Sequence, residues 1–150
     1  MLPIGYKMVQ VTPPAAIIDD ASATTAEIDT IGFDYAIICV NLGATDIALT
    51  ALSVTESDTS GSGHANVTGL VYGTSTDIDG STSSLPSATD DNGIFAFEVD
   101  LRGRKRYLDV TATVGNGTSG AYVTVSAMLC RASELPSTIS EKGLTGCLRA

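Results

Sequence analysis

Hydrophobic and polar residues alternate with a period of two along most of the chain, a pattern typical of β-strands with one buried face. In residues 106–114, Leu108, Val110, Ala112 and Val114 fall on one side of such a strand. The other predicted strands are Tyr6–Thr12, Ala26–Ile31, Phe33–Leu42, Ile47–Glu56, Val67–Tyr72, Ile94–Leu101 and Ala121–Arg131. The pattern therefore predicts about eight strands.

Turn-forming residues separate these strands, with predicted turns at 43–46 and 102–105 and a long polar loop at 74–93. Short strands with frequent turns predict an all-β fold, an antiparallel β-sandwich that is jelly-roll-like. An immunoglobulin-like strand order is the alternative, because sequence does not fix strand order. The last three strands, each with one apolar face, predict an antiparallel meander.

The 150 residues, 15.4 kDa, have the size of one domain. Residues 1–132 are predicted to form the sandwich domain, and residues 133–150 a C-terminal tail or arm, because Ser133–Ser137 breaks the strand pattern. The tail could form a short helix or an extended arm. Docking on a neighbouring molecule and fraying are both open interpretations.

Charge is distributed unevenly along the chain. Residues 1–101 hold 14 acids and one base, whereas residues 102–150 hold seven bases and three acids, and the net charge is −9. An acidic body argues against nucleic acid as a partner. A basic end favours contact with an acidic protein surface, and a solvated turn is the alternative. The predicted partner-binding residues are Arg102, Arg104, Lys105, Arg106, Leu144, Leu148 and Arg149.

Chemistry-bearing residues are few. The single histidine, His64, lies in a Gly/Ser-rich stretch that is poorly suited to hold a catalytic base. Cys39, Cys130 and Cys147 are too few and too widely spaced for a zinc site or a disulfide framework. No common nucleophile, phosphate-loop or dinucleotide motif is present. We therefore expect no enzyme activity, no cofactor and no metal.

Two acidic segments each allow a functional interpretation and a purely structural one. Residues 77–80, Asp-Ile-Asp-Gly, begin like a calcium loop, but the next expected acids are absent and a solvated turn is the alternative. Glu56 and Asp58 could form the carboxylate pair of a glycosidase, and an acidic strand end is favoured instead.

Targeting signals are also lacking in the sequence. No run of about 18 apolar residues predicts a membrane span, so we expect no membrane partner. The N-terminal residues lack the basic and apolar regions of a secretory signal.

The segment from Ile28 to Gly61 carries a family resemblance. It contains Ile-Asp-Thr-Ile-Gly-Phe-Asp-Tyr at 28–35, Leu-Gly-Ala-Thr-Asp at 42–46 and Ala-Leu-Ser-Val-Thr-Glu-Ser-Asp-Thr-Ser-Gly at 51–61. These three motifs in this order resemble small virion proteins of tailed bacteriophages that are encoded near the capsid genes. The resemblance covers under a quarter of the chain.

The resemblance implies a capsid decoration (cement) protein with a jelly-roll or sandwich fold. Such a protein binds the major capsid protein shell on its outer surface, often as a homotrimer, after assembly in the host cytoplasm. The alternative is a virion head-fibre or receptor-binding module that uses loops 57–64 and 74–93 to bind glycans. The resemblance implies no catalytic residue.

Overall fold

The computed structural model describes residues 5–13 and 17–148 of the chain, and these residues form eight β-strands and no α-helix. No helix in these ranges is long and apolar enough to cross a membrane. The strands are β1 (Lys7–Gln10), β2 (Ile28–Asp29), β3 (Phe33–Thr45), β4 (Leu49–Ser57), β5 (Ala65–Val71), β6 (Ile94–Asp100), β7 (Tyr107–Val114) and β8 (Ala121–Ala132).

The strands form two four-stranded antiparallel sheets. One sheet has the order β1-β8-β3-β6 and the other the order β2-β7-β4-β5. The pairing is nested: the first strand pairs with the eighth, the second with the seventh, the third with the sixth and the fourth with the fifth. The predicted all-β sandwich of about eight strands is confirmed.

The hydrophobic core lies between the two sheets and takes every second residue of β7 and of most of β3 and β8. Ile38 and Val40 of β3 are fully buried, as are Leu108 of β7 and Leu129 of β8. The predicted buried face of residues 106–114 is confirmed. On the predicted face of residues 94–101, Phe97, Val99 and Leu101 are buried and Phe95 is partly buried. Burying each such side chain contributes about 1.5–3 kcal/mol, so this core is the main source of stability.

The predicted meander of the last three strands is wrong. Strands β6 and β8 lie in the same sheet but on opposite sides of β3, and β7 lies in the other sheet. The turn at 102–105 therefore carries the chain across the sandwich rather than along one sheet. Alternation showed that each strand has one buried face, but it carries no information about which strand is the neighbour.

The predicted turn at 43–46 is also wrong, since β3 continues to Thr45. The pairing of β3 with β8 shifts between Leu42 and Thr45, which is the signature of a bulge or similar irregularity. The N–H of Thr45 donates to Asp91 Oδ1 at 2.8 Å. A carboxylate from the 74–93 loop thus supports the irregular end of β3.

The C-terminal tail packs against the open edge of β1. The N–H of Met8 donates to the carbonyl oxygen of Lys142 at 2.8 Å. The Lys142 ammonium lies 4.3 Å from the centre of the Tyr6 ring, and Lys142 is buried. The tail contains turns rather than a helix. It therefore covers an edge strand that would otherwise present unpaired backbone groups to other chains.

Gly120 lies where the 115–120 loop closely approaches the segment that leads to β2. Its φ is +84°, and a Cβ there would overlap the carbonyl oxygen of Ile18. We expect Gly120→Ala to lower the free energy of unfolding, measured by chemical denaturation, by more than the backbone penalty of about 1–2 kcal/mol, because the overlap adds to that penalty.

The matched control is Gly80→Ala, because Gly80 has a φ of +87° but no atom within 4 Å of an added Cβ. This variant should carry only the backbone penalty of about 1–2 kcal/mol. Equal losses in the two variants would contradict the proposed overlap.

Candidate functional site

The basic turn, residues 102–106, joins β6 to β7 at one end of the sandwich. Arg102, Arg104 and Arg106 are exposed, and Lys105 is partly exposed. The turn brings the four predicted bases together on one surface because it is short and spans the two sheets.

The first and last bases of this turn are held by aspartates of the flanking strands. Arg102 donates from Nε and Nη2 to Asp100 at 2.9 and 2.5 Å. Arg106 donates from Nε and Nη2 to Asp29 of β2, both at 2.8 Å. Two-pronged contacts of this kind fix the plane of the guanidinium.

The middle bases face two acids at the end of β4. Arg104 Nη1 lies 3.5 Å from Glu56 Oε1, and Lys105 Nζ lies 3.9 Å from Asp58 Oδ2. The N–H of Lys105 also donates to Glu56 Oε2 at 3.1 Å. Both carboxylates of the glycosidase hypothesis are thus engaged with bases of the turn.

These contacts shift the pKa values of the aspartates. Hydrogen bonds from Arg106 hold the pKa of Asp29 below its ordinary value, and those from Arg102 do the same for the pKa of Asp100. The pairs are solvent-exposed, so each contributes little to stability. Every base of the turn nevertheless has an acid of the same chain beside it, and an acidic partner has to compete with that acid.

The predicted tail residues are placed differently. Leu144 is half-buried and its N–H donates to the carbonyl oxygen of Ile139 at 3.0 Å. Leu148 is fully exposed, and Arg149 lies outside the described residues. Within the described ranges, no ion pair links the tail to the basic turn.

His64 belongs to a loop contact that the sequence did not predict. Glu27 Oε2 accepts the N–H of Gly61 at 2.8 Å, and Glu27 Oε1 accepts the hydroxyl of Ser60 at 2.6 Å. His64 Nε2 lies 3.2 Å from the same carboxylate without hydrogen-bond geometry, and its side chain is largely buried. Glu27 therefore anchors the 57–64 loop, with the imidazole packed beside it.

The calcium-like segment at 77–80 is a hydrogen-bonded turn. Asp77 Oδ1 accepts the N–H groups of Asp79 and Ser81 at 3.0 and 2.9 Å. Within residues 5–13 and 17–148, no group of three or more His, Cys, Asp or Glu side chains is arranged to hold a metal ion. This arrangement matches the turn interpretation of the segment.

Asp46 is a second structural carboxylate that the sequence did not single out. Its two oxygens accept the N–H groups of Thr118, Ser119 and Gly120 at 2.7–3.0 Å. These hydrogen bonds favour the ionised form and hold the pKa of Asp46 below its ordinary value. Asp46 therefore ties the 115–120 loop to the start of β4.

A groove of about 440 Å³ lies on the side of the sandwich where β5 and β6 form the sheet edges. It is lined by Tyr72, Phe97, Ala96 and Ile78 together with serine and threonine hydroxyls of the 75–83 segment. The Tyr72 hydroxyl donates to the carbonyl oxygen of Ala96 at 2.9 Å. The groove is large enough for a small ligand.

The outer face of the β1-β8-β3-β6 sheet carries an apolar row, Met8, Met128 and Ile37, that the sequence did not assign. Ile37, Cys39 and Met128 point away from the core, because they alternate with fully buried neighbours, and they are partly exposed. The signal in the sequence was the unbroken apolar run of residues 36–40, since such a run is apolar on both faces of the strand.

Asp46 also provides a test of how the loops are held. Its folded-state pKa is lowered, so its stabilising effect is present above about pH 4 and is lost as the pH falls through the folded-state pKa. We expect Asp46→Asn to lower the melting temperature at pH 7, with the difference from wild type shrinking below about pH 4.

Asp79→Asn is the matched control, since the Asp79 carboxylate accepts none of the hydrogen bonds found among the described residues. A melting temperature for Asp46→Asn equal to that of Asp79→Asn at pH 7 would rule out this role.

Comparison with known proteins yields no relative. No protein-family model matches the chain, and neither the curated proteins nor the solved structures contain a match.

Proposed function

We propose that this chain is a virion structural protein, a capsid decoration (cement) protein that binds and stabilises a shell of major capsid protein. The nested strand pairing is the observation that carries this proposal. In a jelly roll, a ribbon of four antiparallel strand pairs is folded so that alternate pairs fall in opposite sheets. Jelly rolls occur in viral capsid domains and also in lectins and cupins.

The way the loops are held also supports a binding role. Asp46 and Glu27 accept backbone N–H groups of two separate loops, and Asp91, itself in a loop, accepts the N–H of Thr45 at the end of β3. These hydrogen bonds hold the surfaces in one conformation. A binding contact that is repeated by symmetry needs such fixed surfaces. A decoration protein acts by bridging shell subunits, and many weak identical contacts add up through multivalency.

The proposal places the protein on the outer surface of the virion, after assembly in the host cytoplasm. The partners are the major capsid protein and copies of the chain itself, for which the resemblance implies a homotrimer. The basic turn and the exposed Leu148 are the proposed shell contacts. No nucleic acid, membrane or cofactor takes part in this proposal.

Copy number on the shell tests the function. We expect the purified chain to co-sediment with empty shells assembled from the major capsid protein of the same genome, in numbers comparable to the shell subunits. A few copies per shell would favour a head-fibre protein instead. Absence of binding at micromolar concentration would contradict the decoration role.

The basic turn provides a second test. We expect the double variant Arg102→Gln, Arg104→Gln to bind shells more weakly and with a smaller dependence on salt, because two positive charges leave the contact. Lys7→Gln removes one charge from β1, outside the turn, and should weaken binding less than the double variant does. Unchanged binding of the double variant would show that the basic turn does not contact the shell and is a solvated turn.

The groove between β5 and β6 favours one alternative function, a receptor- or glycan-binding module of the virion. Its aromatic and hydroxyl lining, formed in part by the 74–93 loop, is of a kind that holds a sugar ring. A glycan array distinguishes the two functions, since binding that Ser83→Tyr abolishes would support the alternative. Ser83 lines the groove, and a tyrosine there would fill it.

A further inference from the structure

Each sheet formed by the described residues has two edge strands, and three of these four edges are covered, short or irregular. The tail covers β1, where the N–H of Met8 donates to the carbonyl oxygen of Lys142, and β2 has only two residues. Strand β5 pairs with β4 in a shifted register and contains Gly69 at a φ of +88°. Covers, short strands and bulges are the means by which proteins keep sheet edges from pairing with other chains.

Strand β6 is the fourth edge, and it is regular. It pairs with β3 in unbroken register, and no described segment pairs with its free side. Strand β3 bonds the carbonyl of Gly93 just before β6 and the N–H of Leu101 just after it, so the odd-numbered residues of β6 carry the ladder. The even-numbered residues therefore turn their N–H groups to the free side, where no described residue accepts them. These residues are Ile94, Ala96, Glu98 and Asp100.

The free side of β6 opens into the groove between β5 and β6. Ala96, Phe97 and Glu98 of β6 line this groove together with the 75–83 segment. The Tyr72 ring packs edge-on against Phe97 with 5.1 Å between the ring centres, and its hydroxyl donates to the Ala96 carbonyl. A carbonyl oxygen has two lone pairs, so this one can also accept an N–H. An extended segment along β6 would place every second side chain in the groove.

We propose that an extended peptide segment of a partner protein binds along the free edge of β6 as an added strand, with apolar side chains at alternate positions in the groove and basic side chains between them. In this mode of recognition, backbone hydrogen bonds supply affinity and the alternate side chains supply specificity. The proposal goes beyond shell binding by the basic turn, because it concerns a different surface and its test needs no shell.

Charge favours a basic partner at this edge. Glu98 and Asp77 are the acids among the described residues that line the groove, and no base is among them. Asp100 is paired with Arg102, whereas Glu98 has no ion pair within the described ranges. Opposite charges directly across a strand pair are stabilising and like charges are destabilising. These acids therefore disfavour a copy of this chain, whose net charge is −9, and favour lysine or arginine in the partner.

Solvent exchange of single backbone N–H groups, measured by NMR, tests the proposal. The probe is a synthetic peptide as long as β6 in which valine alternates with lysine. At about 1 mM peptide, we expect the exchange rates of the Ala96 and Glu98 N–H groups to fall by at least about half, as a dissociation constant of about 1 mM or lower requires. The control peptide has the same sequence with methylated backbone nitrogens, so it keeps the charge but cannot donate backbone hydrogen bonds. Unchanged exchange, or equal protection by the control peptide, would overturn the proposal.

Ala96→Pro tests the same edge from the side of the protein. It removes an N–H that faces the free side, a change that edge strands tolerate because the ladder with β3 is kept. We expect the valine–lysine peptide to bind this variant about tenfold more weakly in an NMR titration, since a backbone hydrogen bond is lost and the added strand meets the proline ring. Ala96→Ser keeps the N–H and should bind as wild type does. Equal binding by the two variants would contradict the proposal.

Two further outcomes are distinguishable. If Ala96→Pro fails to fold, the comparison of the two peptides on the wild-type chain still decides. A glycan that binds in the groove, with no protection of the Ala96 and Glu98 N–H groups by the peptide, would assign the groove to a sugar and overturn the proposal. Neither result depends on whether the chain binds a capsid shell.

Discussion

Packing of the two sheets against one core is the constraint on which the rest of the structure depends. Strands β3, β7 and β8 give every second residue over most of their length to this core, as Ile38 and Val40 do in β3 and Leu108 does in β7. The remaining residues of each strand are therefore free to define the outer faces. One outer face carries polar pairs such as Thr55 with Asp109, and the other carries an apolar row of Met8, Met128 and Ile37 among polar residues, so the two surfaces differ in chemistry although the two sheets share the same core.

The acidic composition has a structural explanation in the loops. Asp46, Asp77 and Glu27 accept backbone N–H groups of loop residues, and Glu141 does the same in the tail. Hydrogen bonds from Thr138 and Ser137 lower the pKa of Glu141 to about 2. Much of the negative charge thus caps backbone donors that strands leave unpaired outside the sheets. The high negative charge is visible in the sequence, but the hydrogen bonds from carboxylates to loop N–H groups are not.

The sequence predicts local features of this fold better than long-range ones. Alternation located the strands and most buried faces, since burial of one face imposes a period of two. It could not show that β3 lies between β6 and β8, because pairing depends on residues far apart in the chain. The bases of the turn were found as a cluster, but Asp29 and Glu56, which neutralise Arg106 and Arg104, lie many residues away. Adjacent acids of this kind become visible only in three dimensions.

The central proposal is that the chain binds a shell of major capsid protein in many copies. Quantitative mass spectrometry of purified virions tests it directly, because it measures the number of copies of the chain relative to the major capsid protein. We expect numbers comparable to the shell subunits. Absence of the chain from the virions would contradict the proposal.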